Sequence, residues 1–295
     1  MLLYISILAL LGLSSAFSSG DSWGRSASYH TSMDLVGGFV LVEAELDGVL
    51  GTFILDTGAP GLILNKQHHK GVPSDQVQAR GLSSEVEVFV KRIRKFEWLT
   101  VRKKHLDAYV VDLSHLEARL EQPIDGLIGY DILRGKELFI DYHSRVVQLF
   151  SGRNSPLKDW YDARLEVPVD LSDHLPVVKA EVNGRKFRLG IDSGAESNIF
   201  HLGSGRKFHQ DHVTAVGEHE VRGLDQEIRR VPLVRFASAS IKRESIEDLS
   251  FLMLDMGVLN SDQGHRGIDG LLGFPFLNSG KVSINYQKSR LCFWN

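Results

Sequence analysis

The stretch FILDTGA at residues 53–59 returns 136 residues later as LGIDSGA at residues 189–195. Each copy is an apolar run that ends in Asp-Thr-Gly or Asp-Ser-Gly. A repeat that returns once in a chain of 295 residues predicts two copies of one structural unit.

The repeat extends on both sides of these stretches. Asp47-Gly48 and Asn183-Gly184 precede the two copies at equal distance, and such a dipeptide between apolar segments predicts a tight β-hairpin. Downstream, RGL at 80–82 matches RGL at 222–224, and IDGLIG at 124–129 matches IDGLLG at 268–273. Matching blocks in the same order exclude a chance recurrence of a single triplet.

Short apolar and alternating runs, bounded by glycine and by Asp or Asn turns, dominate the chain and are typical of strands. They predict strands at 39–46, 52–55, 85–90, 108–111 and 146–150 in the first half, and at 177–182, 187–191, 231–236 and 282–286 in the second. A helix is predicted at 112–120, with short turns after each Gly-Leu-Ile-Gly or Gly-Leu-Leu-Gly segment.

These motifs resemble those of the retropepsin-like and pepsin-like aspartic peptidases, over about residues 36–151 and 166–294. Retropepsins carry one such unit per chain and dimerise, whereas pepsins carry two. The chain resembles two retropepsin-type units fused in one polypeptide. The resemblance implies an all-β fold of two homologous acid-protease-type β-barrel lobes with an active-site cleft between them. It also implies a monomer with internal pseudo-two-fold symmetry, although two chains that pair lobe to lobe remain an alternative.

The predicted organisation is a signal peptide at 1–16, a polar tail at 17–35, an N-terminal lobe at 36–151, a linker at 152–165 and a C-terminal lobe at 166–295. The tail is expected to lack regular structure up to Met33. We refer to the two lobes as the N-lobe and the C-lobe.

The first residues bear on localisation. The apolar run at 2–13 is short for a bilayer span, and Ser14-Ser15-Ala16 offers small residues to a signal peptidase. This pattern predicts export, to a secreted or periplasmic location. Two alternatives stay open, an uncleaved membrane anchor and a buried first strand. Cys292 is the single cysteine, so no internal disulfide can form.

Asp56 and Asp192 are the predicted catalytic residues. Two carboxyl groups held close together cannot both ionise, so one keeps a proton near neutral or acid pH. The ionised group can then take a proton from water while the protonated group donates to a peptide carbonyl. This chemistry would hydrolyse a peptide bond with no cofactor and no metal, and its substrate would be a peptide or protein.

The neighbouring residues receive supporting roles. Gly58 and Gly194 allow the backbone to approach the carboxylates closely. By the resemblance, Thr57 and Ser193 link the two catalytic turns across the lobes. The small residues Ala59 and Ala195 are predicted to lie along a substrate strand.

Gly81-Leu82 and Gly223-Leu224 are candidate tips of mobile hairpins that close over substrate, with ordinary surface hairpins as the alternative. Two departures from the family pattern concern substrate preference and the mechanics of the flap, the hairpin that closes over substrate. Pro60 replaces the small hydroxyl or acidic residue usual in retropepsins. No tyrosine lies between Gln67 and Asp107, so the flap tyrosine of the pepsins has no counterpart.

Other function classes receive less support. A net charge of −3 offers no global field that would recruit nucleic acid. The histidines at 201, 209 and 212, with Asp211, suggest a polar surface loop rather than a metal site. The main rival is a protease-like module that binds peptide without cleaving it. A binding module of this kind is expected to have lost or replaced one of the two aspartates, whereas Asp56 and Asp192 are both present.

Overall fold

The computed structural model describes residues 2–4, 9–10, 29–73, 78–80, 85–206, 208, 212–222, 228–242, 244–246, 250–257 and 267–295, with the backbone alone at 2–4, 9–10, 78–80 and 85. The strands are β1 (Leu2–Tyr4), β2 (Ala9–Leu10), β3 (His30–Ser32), β4 (Asp34–Val36), β5 (Phe39–Leu46), β6 (Val49–Leu55), β7 (Ile63–Asn65), β8 (Val72–Pro73), β9 (Gln78–Arg80), β10 (Glu85–Val86), β11 (Phe89–Trp98), β12 (Val101–Val111), β13 (Gly126–Ile128), β14 (Lys136–Asp141), β15 (Val146–Ser151), β16 (Ala163–Pro168), β17 (Val177–Val182), β18 (Arg185–Ile191), β19 (Asn198–His201), β20 (Val213–Arg222), β21 (Ile228–Phe236), β22 (Ala239–Ile241), β23 (Glu244–Ser245), β24 (Ser250–Leu254), β25 (Gly270–Leu272), β26 (Lys281–Asn285) and β27 (Arg290–Trp294). The helices are α1 (Ser114–Leu120), α2 (Tyr130–Leu133), α3 (Leu157–Trp160), α4 (Leu202–Gly205) and α5 (Phe274–Leu277).

A closed barrel forms the centre of the N-lobe. Its strands follow one another in the order β5, β6, β13, β7, β12 and β11, and β11 pairs back onto β5 to close the ring. Closure removes free sheet edges and encloses side chains such as Ile93 and Phe96, both fully buried. The rings of Phe53 and Phe96 meet edge to face there, 6.0 Å apart.

The C-lobe repeats this plan around one ten-stranded sheet, whose strand order is β2, β20, β21, β24, β19, β25, β18, β17, β22 and β23. The hairpin of β17 and β18 corresponds to the hairpin of β5 and β6, as the sequence repeat predicts. A cluster of phenylalanine rings that includes Phe187, Phe200, Phe236 and Phe251 fills its core.

The predicted hairpin turns are present in both lobes. Asp47 and Gly48 have φ of 52° and 92°, and Asn183 and Gly184 have φ of 45° and 73°. Positive φ at both central residues is the geometry that an Asp-Gly or Asn-Gly hairpin requires. Each turn side chain also accepts a backbone N–H from the same lobe, from Lys95 and from Ser238 respectively.

A six-stranded sheet joins the two lobes, with the order β16, β27, β26, β14, β15 and β3. At its centre β14 of the N-lobe runs antiparallel to β26 of the C-lobe, and Phe139 pairs with Ser283. Leu138 pairs with Ile284 and Ile140 with Val282, so the pairing is symmetric about Phe139 and Ser283. The lobes therefore associate within one chain through strands that are themselves copies of each other. This arrangement confirms the predicted all-β, two-lobed fold.

Some expected boundaries differ from the structure. Part of the predicted polar tail is ordered, because β3 pairs with β15 and Met33 is buried. The segment expected to be a linker contains α3 and the first residues of β16, which pairs with β27. The strand expected at 85–90 is divided between β10 and a longer β11. The apolar side chains at Met33 and Leu165 explain the first two differences, since both enter the core.

The first residues also contribute strands. β1 runs parallel to β9 in the N-lobe, and β2 runs antiparallel to β20 in the C-lobe. Among the residues that the structure describes, no helix has the length and apolar character needed to cross a membrane.

Candidate active site

Each of the two aspartates follows the last residue of a buried strand. Asp56 comes directly after β6, and its N–H donates to the carbonyl of Ile128 at 3.0 Å. Asp192 comes directly after β18, and its N–H donates to the carbonyl of Leu272 at 3.0 Å. Because β13 and β25 run parallel to these strands, the Gly-Leu-Ile and Gly-Leu-Leu segments lie beside the two aspartates.

The glycines that end these segments permit very close packing. A Cβ on Gly129 would lie 2.4 Å from the carbonyl oxygen of Ala59, and one on Gly273 would lie 2.4 Å from that of Ala195. The following N–H groups, of Tyr130 and Phe274, donate to the same two oxygens at 2.9 and 2.8 Å. The two turns that carry the aspartates are thus held in place by backbone contacts that only glycine allows.

The two carboxyl groups are held by the backbone of their own turns. Oδ1 of Asp56 accepts from the N–H groups of Gly58 at 2.8 Å and Ala59 at 3.0 Å, and Oδ1 of Asp192 accepts from Gly194 at 2.9 Å. Both aspartates are fully buried. These bonds fix the orientation of both carboxyl groups.

Gly194 brings the C-lobe backbone against the N-lobe carboxyl group. A Cβ at this position would lie 2.4 Å from Cγ of Asp56, a separation that real atoms do not adopt. The turn that carries Asp192 therefore packs directly on Asp56, and the structure brings together the two aspartates that the sequence repeat singled out.

Thr57 and Ser193 form a reciprocal set of hydrogen bonds between the lobes. The hydroxyl of Thr57 donates to the Ile191 carbonyl at 2.8 Å and accepts the N–H of Ser193 at 2.9 Å. The hydroxyl of Ser193 donates to the Leu55 carbonyl at 2.7 Å and accepts the N–H of Thr57 at 3.0 Å. All four groups are buried, so each hydroxyl satisfies one donor and one acceptor of the opposite lobe. The cross-link that the resemblance implied is present.

The electrostatics of the pair favour one retained proton. Burial raises the pKa of Asp56 well above 3.8, and the nearby negative charge of Asp192 raises it further. The N–H bonds from Gly58 and Ala59 act in the opposite direction and are the smaller effect. Oδ2 of Asp56 is buried and has no partner in hydrogen-bond geometry among the described residues. This oxygen is placed to carry the retained proton, and a side-chain hydrogen bond with Asp192 further raises the pKa of Asp56.

Two buried tyrosines lie at the lobe junction behind the site. The ring of Tyr142 packs on Phe274 of the other lobe, 5.9 Å apart, and that of Tyr286 packs on Tyr130, 5.8 Å apart. Burial raises the pKa of the Tyr286 phenol well above 10.0, and the charge of Asp56 adds to the rise. Burial also raises the pKa of the Tyr142 phenol, so both phenols stay neutral. The two rings link each lobe to the helical turn that follows the Gly-Leu-Ile-Gly or Gly-Leu-Leu-Gly segment of the opposite lobe.

One interlobe contact has no counterpart in the sequence repeat. Nη2 of Arg119 on α1 lies 3.1 Å from Oε1 of Glu196, whose side chain is only 3% exposed. Glu196 stands four residues after Asp192, where the other copy of the motif has Pro60. Sequence reasoning missed this pair, although the Pro60/Glu196 mismatch was a visible signal of asymmetry between the copies.

The remaining predicted site residues fall in different places. Ala59 and Ala195 are fully buried, so the structure gives their methyl groups a packing role, and their contact with substrate stays a prediction. The candidate hairpin tips Gly81-Leu82 and Gly223-Leu224 lie outside the described residues. The arms of both hairpins are described, and they pair as β9 with β10 and as β20 with β21.

The histidine-rich segment at 201–212 is only partly described by the structure. His209 and Asp211 lie outside the described residues, whereas Nδ1 of His201 accepts the N–H of Met256 at 3.0 Å. Within the described ranges, no group of three or more His, Cys, Asp or Glu side chains is arranged to hold a metal ion.

Comparison with known families agrees with the geometry. A protein-family model described as Aspartyl protease matches residues 42–132 and again residues 178–276, which together make up more than half of the chain. The chain therefore belongs to the aspartyl protease family, and it carries the family unit twice. A search of curated proteins found no match.

Proposed function

We propose that the protein is an aspartic endopeptidase in which Asp56 and Asp192 together activate a water molecule against a peptide bond. Membership of the aspartyl protease family supports a peptidase in general. The assignment of the chemistry to these two residues is our inference from the site.

The proposal depends mainly on one observation. Two fully buried aspartates, one from each copy of the repeat, are packed together so closely that the second raises the pKa of the first. A purely structural role does not explain this arrangement, because burying two carboxyl groups side by side is costly unless one is protonated. Strongly perturbed acid pairs of this kind are typical of catalytic sites.

The reaction then follows from the two protonation states. The ionised member of the pair accepts a proton from a water placed between the carboxyl groups, and the oxygen of that water attacks the peptide carbonyl carbon. The protonated member donates a hydrogen bond to the carbonyl oxygen and stabilises the negative charge that develops there. A proton passes to the amide nitrogen of the tetrahedral intermediate, and the C–N bond breaks. Which aspartate begins as the acid is a property of the coupled pair.

The rest of the site keeps the two carboxyl groups in this geometry. Thr57 and Ser193 tie the catalytic turns together, and the N–H groups of Gly58 and Gly194 hold one oxygen of each carboxyl group. Such preorganisation removes the need for rearrangement at the moment of reaction. The substrate class that fits is an extended peptide or a protein segment placed between the lobes.

The proposal is tested with a mixed peptide library incubated with the purified protein across acid to neutral pH. The Asp56→Asn and Asp192→Asn variants are compared with Asp159→Asn, an exposed carboxyl group on α3. We expect cleavage by the native chain and by Asp159→Asn, and none by the other two. A chelator should not affect the rate.

Two results would overturn the proposal. Cleavage that survives both site substitutions would place the chemistry elsewhere. Saturable binding of peptides without cleavage at any pH, by folded native protein, would instead identify a binding module.

A further inference from the structure

A polar pocket lies at the junction of the lobes, on the side of the molecule formed by α2 and by the turn that joins β26 to β27. It has a volume of about 570 Å³. Its wall includes two cations, two tyrosine rings and two uncharged polar side chains, namely Lys103, Arg134, Tyr130, Tyr286, Gln287 and Ser289. We call it the junction pocket. Its volume falls within the range of small-molecule sites, roughly 300–1,000 Å³.

The two cations of the pocket form no ion pair with a residue that the structure describes. Among the residues that the structure describes, no carboxylate lies within 4.0 Å of the Lys103 ammonium or the Arg134 guanidinium. Other cations of the same β11–β12 hairpin are paired, for example Arg92 with Asp107 at 2.9 Å and Arg102 with Glu97 at 3.0 Å. Lys103 and Arg134 therefore place two positive charges on the pocket wall that no described carboxylate neutralises by direct contact.

One nearby carboxyl group offsets this charge only in part. Desolvation raises the pKa of Asp131, while Lys103, Arg134 and His174 act from a distance to lower it. His174 itself contacts Asp173, with Nδ1 2.9 Å from Oδ1. Asp131 carries at most one negative charge, whereas Lys103 and Arg134 carry two positive charges. The pocket therefore keeps a net positive charge.

The other walls supply shape and further polar groups. The Tyr130 and Tyr286 rings pack 5.8 Å apart, and Tyr286 is held in place because its N–H donates to the Lys136 carbonyl at 2.9 Å. Gln287 and Ser289 add an amide and a hydroxyl from the C-lobe side. The pocket thus combines fixed aromatic walls with groups able to donate hydrogen bonds.

We propose that the junction pocket binds a small molecule that carries a phosphate-type oxyanion. A guanidinium matches two oxygens of such a group with two N–H donors, and an ammonium adds a compact positive charge beside it. The aromatic rings offer a flat face for the remainder of the ligand. Because Lys103 and Arg134 come from the N-lobe and Gln287 and Ser289 from the C-lobe, a bound oxyanion would contact both lobes.

Calorimetric titration of the full chain with inorganic phosphate, pyrophosphate and sulfate tests the proposal. Ionic strength is held constant with sodium chloride, so that a general salt effect is removed. We expect saturable binding of at least one of the three anions. In the Lys103→Ala/Arg134→Ala double variant, affinity should fall about tenfold or more for each removed cation. The Lys104→Ala variant is the matched control, because Lys104 is an exposed cation on the same strand that does not line the pocket.

Both substituted cations are exposed, so the double variant should remain folded, and its thermal unfolding should match that of the native chain without anion. Equal binding by the native chain and the double variant would overturn the site, as would a complete absence of binding. The titration is repeated on the Asp192→Asn variant, where binding should persist. Loss of peptide cleavage in that variant with retained anion binding would separate this inference from the proposed peptidase function.

Discussion

Arg119 on α1 of the N-lobe donates to Glu196, four residues beyond Asp192 in the C-lobe, at 3.1 Å. The Glu196 side chain is only 3% exposed and that of Arg119 is 16% exposed. Gly37 lies against both, since a Cβ there would be 3.0 Å from Oε1 of Glu196. A buried ion pair thus connects the two lobes at the turn that carries Asp192, and the described residues show no equivalent pair at the turn that carries Asp56.

We expect Arg119→Met to destabilise the protein by about 3 kcal/mol, because it removes the positive charge that lies beside a buried carboxylate. The free energy of unfolding would be measured by urea denaturation. The double variant Arg119→Met/Glu196→Gln should recover part of this loss, since the negative charge of Glu196 is then also absent. A double variant no more stable than Arg119→Met would show that the ion pair is not the source of the effect.

The raised pKa of Asp56 predicts how stability depends on pH. Burial, and then the charge of Asp192, raise this pKa well above 3.8, so the folded protein retains a proton that the unfolded chain has already released. The free energy of unfolding should therefore fall as pH rises from about 4 through the raised pKa. Asp56→Asn removes this titration and keeps an oxygen that can accept from Gly58 and Ala59.

Relative to the native chain, Asp56→Asn should become progressively more stable as pH rises over that range, while cleavage activity is lost. Urea denaturation at a series of pH values measures the difference. Stability curves that stay parallel in the two proteins would contradict the assigned pKa shift. In the native chain, the same titration should make peptide cleavage decline as pH rises, since the pair then loses its shared proton.

Much of the fold could be predicted because the sequence repeat indicates both where the strands end and which residues form the turns between them. The FILDTGA and LGIDSGA copies predicted strand ends that carry the aspartates, and Asp47-Gly48 and Asn183-Gly184 predicted turns that the structure confirms. The positions of the two aspartates and of the two hairpin turns could thus be inferred from local rules, because a strand end and a tight turn depend on adjacent residues.

Contacts between distant segments could not be derived in this way. Closure of the N-lobe barrel depends on the pairing of Phe96 with Leu46, and no sequence signal specifies that partner. The Arg119–Glu196 pair has no equivalent in the other copy of the repeat, so a comparison of matching blocks does not predict it. Met33 was assigned to a polar tail because its neighbours are polar, yet a single apolar side chain is enough to bring it into the core.

Ser193 offers a direct test of the interlobe hydrogen bonds. Ser193→Ala would leave the Thr57 N–H and the Leu55 carbonyl buried without their partner. Each unsatisfied group costs about 1–3 kcal/mol, so we expect a clear loss of stability together with a fall in cleavage rate. Ser193→Thr is the matched control, because it keeps the hydroxyl and reproduces the residue found at Thr57. Stability and rate that do not change in Ser193→Ala would show that these bonds do not hold the pair.

Gly194 provides the sharpest steric prediction. A Cβ on this residue would lie 2.4 Å from Cγ and 2.5 Å from Oδ1 of Asp56, so Gly194→Ala must displace either the Asp56 carboxyl group or the C-lobe turn. Because the geometry of the pair decides proton transfer, we expect cleavage to fall by about 100-fold or more even where the protein still folds. Peptide cleavage and far-ultraviolet circular dichroism would be measured on the same preparation. Gly217→Ala on β20 is the control, since a Cβ there meets no atom within 4 Å among the described residues. Near-native cleavage by Gly194→Ala would mean that the two aspartates do not approach each other as the structure shows. The proposed mechanism, which requires that approach, would then be wrong.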